Sequence, residues 1–132
     1  MNPAAVGVAL ADTSLFVAVE QERPIRAAVP ESLLVSVVTV GEMRLGVLAA
    51  ATSPQRARRL QTLRKVEALE SVPIDDSVAD AWASLRVALR ERGRRMPVND
   101  SWIAATAIAL GIPVATQDAD YQGVPGLDVV AL

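Results

Sequence analysis

The 132-residue sequence contains no cysteine and no histidine. Without cysteine there are no disulfides and no thiolate metal sites, and the redox compartment leaves no mark on the chain. Without histidine, Ser-His and Cys-His nucleophilic machinery is excluded, along with the usual zinc sites and the commonest general base. Enzymatic chemistry would therefore fall to carboxylates, whose oxygens suit hard cations, magnesium or manganese. Aromatic residues are scarce as well. Phe16, Trp82, Trp102 and Tyr121 are the full set, fewer than a base-stacking single-strand binder normally displays. A membrane-spanning apolar run is also missing. The segment Pro3 to Val19 carries Asp12 in its middle and has no positive residue before Arg23, which makes it a poor signal peptide and a better first strand.

What remains reads as an ordinary soluble domain. With 52% hydrophobic and 21% charged residues, the chain fits one domain over residues 1–132 that buries roughly two-thirds of its unfolded surface. The net charge of −2 conceals a division: Arg56 to Arg95 holds ten basic residues against six acids, and the remainder three against nine. A basic middle suggests a polyanionic partner; solvated helix faces would give the same count.

Strand and helix signals alternate. Val6 to Ala11 is continuously apolar and stops at "ADTS"; a helix is predicted from about Ser14, capped by Thr13 or Ser14. Leu33 to Val38 reads as a strand buried on both faces. The helix after it has Thr39 and Glu42 at capping-box spacing. Pro54 permits a helix from about Gln55, with Ala57, Leu60, Leu63 and Val66 as its apolar stripe. Ser71 to Ile74 is a short strand candidate. Asp75, Asp76 or Ser77 starts the next helix and Gly93 ends it. Asn99 is the predicted cap of a buried helix that Gly111 stops, and strands follow at Ile112 to Thr116 and Leu127 to Ala131. This order implies an α/β sandwich with a mostly parallel sheet, in which ligands bind at the carboxyl ends of the strands.

That topology sends acids from remote parts of the sequence to one edge. Asp12 follows the first strand, Glu42 and Asp100 are expected in the first turns of helices, and Asp118 lies beyond the strand in "GIPVATQDADY". Each has an ordinary structural reading. Glu42 completes a capping box, Asp100 favours a helix dipole, and Asp118 and Asp120 suit a turn. An acid after so apolar a first strand is harder to explain that way. Clustered carboxylates repel unless a divalent cation neutralises them, so the four together point to a cation site. Such a site can orient a phosphodiester and activate water, with a free carboxylate taking the proton.

The segments "ADTSLFVAV", "VSVVTVGEMRLGV", "VNDSWIAATAIALGIPVATQDADY" and "VPGLDVV" resemble the PIN-domain ribonucleases, and within them the VapC toxins of bacterial toxin–antitoxin pairs. The resemblance implies a PIN-like three-layer sandwich. It implies Asp12, Glu42, Asp100 and Asp118 as catalytic and metal-binding residues, with Asp120 as an auxiliary acid. Thr13, Ser14, Asn99 and Thr116 are implied as polar residues that orient those carboxylates. It further implies Mg2+ (or Mn2+), cleavage of structured RNA such as transfer or ribosomal RNA, a homodimer, a cognate VapB-like antitoxin and a cytoplasmic location. One departure is visible: several residues precede the first strand, where such toxins often begin almost directly. "RERGRR" adds Arg90, Arg92, Arg94 and Arg95 as candidate RNA-backbone contacts, against a plain solvated helix end. Trp82 and Trp102, on apolar helix stripes, read as core rather than stacking platforms.

Three rival functions share parts of this pattern. A phosphotransferase with an aspartyl nucleophile needs a downstream lysine, and the only lysine, Lys65, sits inside an amphipathic helix. A non-catalytic nucleic-acid or protein-binding module of the same fold usually loses some of the acids. A structure-specific DNA nuclease of the same fold keeps them.

Overall fold

The computed structural model describes residues 7–132; Val6, the predicted start of the first strand, lies outside them. The chain runs β1 (Val8–Ala11), α1 (Thr13–Glu20), β2 (Ser32–Ser36), α2 (Val37–Leu48) and α3 (Ser53–Glu67). It continues through β3 (Glu70–Val72), α4 (Asp76–Glu91), α5 (Val98–Leu110), β4 (Val114–Thr116), a 3-10 turn (Ala119–Tyr121) and β5 (Val129–Ala131). The strands form one sheet in the order β3-β2-β1-β4-β5, and every pairing is parallel. The sheet is thus wholly rather than mostly parallel.

Strand alternation divides the core in two. Leu10, Leu34, Val114 and Val129 project to one side and meet Val78, Leu85 and Leu89 of α4 and Ile103 of α5. Ala9, Ala11, Val35 and Ala115 project to the other, against Leu15 and Phe16 of α1 and Val66 of α3. Burial on both faces is what a parallel sheet between helices requires, and it explains why β1 and β2 are apolar without alternation. The result is a three-layer α/β/α sandwich. Trp82 and Trp102 stack with ring centroids 4.3 Å apart and planes 3° from parallel, packed against the α4/α5 core. The indole of Trp82 also donates to Ser101 Oγ at 3.0 Å. This contact seats the first turn of α5 against α4.

Several boundaries differ from the sequence expectation, for local reasons. Asp12, not Thr13 or Ser14, caps α1, accepting from the Ser14 amide. Ser36 caps α2 by accepting from the Val38 amide, so Val37 and Val38 belong to the helix and not to the strand. The Thr39–Glu42 capping box consequently does not form, and Glu42 lies in the second turn of α2. Thr52 caps α3, which places Pro54 at a position where a missing N–H costs nothing. Asp75 caps α4, as one of the three predicted candidates. α5 starts at Val98 behind Pro97 and has no side-chain cap, so Asn99 is not its cap. Gly111 ends α5 with φ +67°, a left-handed conformation that glycine adopts without cost.

Candidate active site

The strand order places a switch point between β1 and β4. From β1 the chain winds outward through β2 and β3, then returns to pair β4 on the other side of β1. A crevice at the carboxyl ends of such a pair is where open α/β sheets bind ligands. Ala11 of β1 lies opposite Ala115 of β4, and the next residues on each strand are Asp12 and Thr116.

Asp12 is 2% exposed, and both its oxygens are engaged. Oδ2 accepts from the Ser14 amide at 3.2 Å and from Thr116 Oγ1 at 2.9 Å. Oδ1 accepts from the hydroxyl of Tyr121 at 2.8 Å. Because the Thr116 proton goes to Asp12, the 3.1 Å contact between Ser14 Oγ and Thr116 Oγ1 has Ser14 as donor. Ser14 Oγ in turn accepts from the Gln117 amide at 3.0 Å, and Thr116 Oγ1 accepts from the Asp118 amide at 2.8 Å. Each hydroxyl thus donates in one direction and accepts in the other. The network fixes Asp12 and the chain leaving β4 as a unit.

The remaining acids enter from three elements. Asp118 opens the 3-10 turn, accepting from the Asp120 amide at 2.8 Å through Oδ1. Asp100 sits in the first turn of α5. Glu42 Oε1 accepts from Thr13 Oγ1 at 2.8 Å, and Thr13 Oγ1 then receives the proton of Thr39 Oγ1 at 3.2 Å. Thr13 and Thr39 thereby tie α1 and α2 together and hold Glu42 at this end of the sheet.

Among the described residues, one group of carboxylates comes close enough to share a cation: Asp100, Asp118 and Asp120 each offer an oxygen, all within 4.8 Å of one another. Asp120, expected only as an auxiliary acid, is part of this triplet, while the more deeply buried Asp12 is not. Asp12 and Glu42 still act on it through charge. The Asp100 carboxyl is pushed up to about 6, chiefly by burial, then by the negative charges of Asp12 and Asp118 and more weakly of Glu42; the Tyr121 hydroxyl opposes the rise. Five acids thus converge, and every donor is a carboxylate oxygen. That donor set fits a hard divalent cation with room for water, and offers no soft ligand.

The polar residues implied by the resemblance separate here. Thr13, Ser14 and Thr116 hydrogen-bond site carboxylates or one another, whereas Asn99 is exposed on the first turn of α5. Two participants were not anticipated. Thr39 was read as a cap and instead supports Thr13. Tyr121 was counted only as a scarce aromatic, yet it is fully buried, and burial with its two acidic neighbours drives its own ionisation far upward, so the phenol stays a proton donor. A lone tyrosine three residues after Asp118 was the one available signal.

A PIN domain family model matches residues 9–127. Ribonuclease VapC4 of Mycobacterium tuberculosis is 49% identical over 126 residues, covering 94% of this chain and 96% of the relative. Ribonuclease VapC5 of the same organism is 48% identical over 116 residues, covering 87% and 86%. Among solved structures, a member of the VapBC family of toxin–antitoxin systems, VapBC-5 from Mycobacterium tuberculosis, superposes with a TM-score of 0.84 at 43% identity, covering 96% of this chain and 99% of that one. The chain therefore belongs to the PIN domain family, among the VapC ribonucleases.

Proposed function

We propose that this protein is the toxin of a type II toxin–antitoxin pair, a Mg2+- or Mn2+-dependent endoribonuclease that hydrolyses phosphodiesters of structured RNA, transfer or ribosomal, and so inhibits translation. The observation that carries the reading is the carboxylate convergence at the switch point. Asp100, Asp118 and Asp120 lie within 4.8 Å of one another, and Asp12 and Glu42 add to the charge that raises Asp100. The names of the similar proteins, ribonucleases and a toxin–antitoxin complex, support it independently.

In this reading Asp100, Asp118 and Asp120 hold the cation, with Asp12 and Glu42 completing the negative site. The bound cation supplies charge stabilisation at phosphorus and acidifies a water. The chain does the rest. Thr116, Ser14 and Tyr121 hold the buried Asp12 carboxylate in one orientation by donating to both of its oxygens. Thr13 holds Glu42 in one orientation. A carboxylate oxygen that is not occupied by the cation accepts the proton of the attacking water, a role that histidine fills elsewhere. Attack at phosphorus breaks the bond to one bridging ribose oxygen, which leaves with a proton. The partners proposed with this activity are a VapB-like antitoxin that occupies the crevice and a second copy of the chain, in the cytoplasm. No helix among the described residues is long and apolar enough to cross a membrane.

The test is sequencing of cellular RNA 5′ ends after induction of the wild-type chain and of Asp118→Asn. New 5′ ends at a small set of positions in transfer or ribosomal RNA, absent with the variant, are the expected result. Identical end profiles for the two proteins, both soluble and abundant, would reject a ribonuclease and favour a binding module.

A further inference from the structure

Beside the acids, the end of α4 and the loop after it form a cavity of about 580 Å³ lined by Arg86, Arg90, Arg94 and Arg95 together with Leu89, Gly93 and Met96. Among the described residues the one ion pair is Arg44 with Glu67. No carboxylate therefore neutralises any of these four guanidinium groups. Two of them are nonetheless held in place. Arg86 lies 5.8 Å from the centre of the Trp82 ring and donates to the Met96 carbonyl at 3.3 Å. Arg94 donates through Nη2 to the Asp120 carbonyl at 2.6 Å. Gly123 leaves room for that arm, since a Cβ there would come within 3.3 Å of Arg94 Nη1. Arg90 and Arg95 are exposed at the mouth. Arg92, the C-cap residue of α4, does not line the cavity.

Unpaired, partly pre-ordered guanidinium forks around a cavity are suited to phosphate, which they bind through parallel charge-assisted hydrogen bonds. Arg94 belongs to both sites. It lines the cavity, and it holds the turn that carries Asp120. A ligand reaching from the carboxylate triplet into the cavity would have one phosphate at the cation and further ones on the arginines, which is the repeat of a polynucleotide backbone.

Resting on the ribonuclease reading above, we infer that this arginine cavity is the subsite for the RNA backbone flanking the scissile phosphate, with Arg86 and Arg94 as its pre-set floor and Arg90 and Arg95 as its adjustable rim. An acidic peptide, such as an antitoxin segment, is the competing occupant. RNA is favoured because the cavity adjoins the acids that would cut it, and because a strand crossing both sites needs alternating cation and guanidinium contacts.

The test uses the double variant Arg90→Gln/Arg95→Gln, at exposed positions outside the carboxylate site, with Asp100 intact. Binding of fluorescein-labelled bulk bacterial transfer RNA is followed by anisotropy in EDTA, from 50 to 400 mM NaCl. The expected result is Kd weakened about tenfold at low salt and a log Kd–log salt slope shallower by about 1.4 to 1.8, two phosphate contacts' worth. Arg92→Gln, outside the cavity, should change the slope by less than half as much. An unchanged slope and Kd in the double variant overturns the inference, as does an equal effect of Arg92→Gln or a wild-type chain that binds no RNA. So does intact RNA binding with lost binding of the purified antitoxin, which would assign the cavity to a peptide. Wild-type cleavage is scored separately. Arginine-dependent binding without any cleavage keeps the subsite and sinks the nuclease reading, whereas cleavage with an arginine-independent slope does the reverse.

Discussion

Replacing Asp100 with asparagine should stabilise the protein in the absence of metal, and only at the pH values where Asp100 is ionised. Its carboxyl is raised from 3.8 to about 6 by burial and by the charges of Asp12, Asp118 and Glu42. A folded-state value above the unfolded one means that the fold prefers the protonated form. The cost of ionising it is absent below pH 4, develops between about pH 4 and 6, and is complete above that range. A rise of roughly two pH units corresponds to about 3 kcal/mol. Asp100 is only half-buried, so solvent screening reduces this to about 1–2 kcal/mol. For a chain of this length that is a rise of about 4–8 °C in Tm. Asparagine keeps the size of the side chain, and its amide can donate to the phenol oxygen of Tyr121, whose own proton goes to Asp12, so little is lost against the gain. Thermal unfolding of both proteins in EDTA, followed by circular dichroism from pH 4.5 to 8, should show curves that meet at the acid end and separate towards pH 7. Adding 5 mM MgCl2 should reverse the order at pH 7.5 by stabilising the wild type alone. A Tm difference that stays constant across pH, or a variant less stable than wild type at pH 8 in EDTA, would refute the electrostatic crowding on which the site rests.

Three other outcomes follow from the same geometry. Asp12→Asn and Asp118→Asn should each reduce RNA cleavage at least a hundredfold with native circular dichroism, and Glu42→Gln should do so too; near-wild-type rates in any of them would remove that residue from the site. Tyr121→Phe leaves Oδ1 of the buried Asp12 without its donor, so it should cost about 1–3 kcal/mol at pH 7, measured by urea denaturation. An unchanged midpoint would show the hydroxyl to be dispensable. Expression of the wild-type chain should halt growth by loss of translation, with relief on co-expression of the antitoxin gene, while Asp100→Asn should be tolerated; equal growth with both would count against toxicity.

Much of the fold was visible in the residues because burial on both faces of a parallel sheet writes itself as continuous apolar runs. β1, β2 and β4 were located that way, and Asp12 stood out for ending such a run. The boundaries were less visible because a cap is decided by which side chain reaches an amide, not by residue type. Ser36, Thr39 and Glu42 all carry capping chemistry in one short stretch. Ser36 reaches the Val38 amide, which frees Thr39 to meet Thr13 and Glu42 to face the site. The same limit applied at α5, where Asn99 has the right chemistry for a cap but Pro97 starts the helix first.

The convergence of acids was inferable from parallel topology alone, since strand ends and helix starts share an edge. Which of them draw together most closely was not. The grouping of Asp120 with Asp100 and Asp118 depends on the 3-10 turn, in which the Asp120 amide donates to Asp118 and its carbonyl accepts from Arg94. The part played by Tyr121 depends on that turn as well, because it swings the phenol inward beneath the acids. The arginine cavity was half visible. The charge run pointed to Arg90, Arg94 and Arg95, but the helix geometry exchanged Arg92 for Arg86, four residues before Arg90 on the same face of α4.

The proposed function requires the carboxylate cluster to hold a divalent cation on which cutting depends. Manganese binding to the purified protein, read by electron paramagnetic resonance at pH 7.5 alongside cleavage of bulk transfer RNA in the same samples, tests it most directly. Wild-type protein should bind manganese and cut in proportion to occupancy, and Asp118→Asn should lose both by at least tenfold. Cleavage that persists undiminished in excess EDTA, or full manganese binding by a double Asp100→Asn/Asp118→Asn variant, would contradict the account.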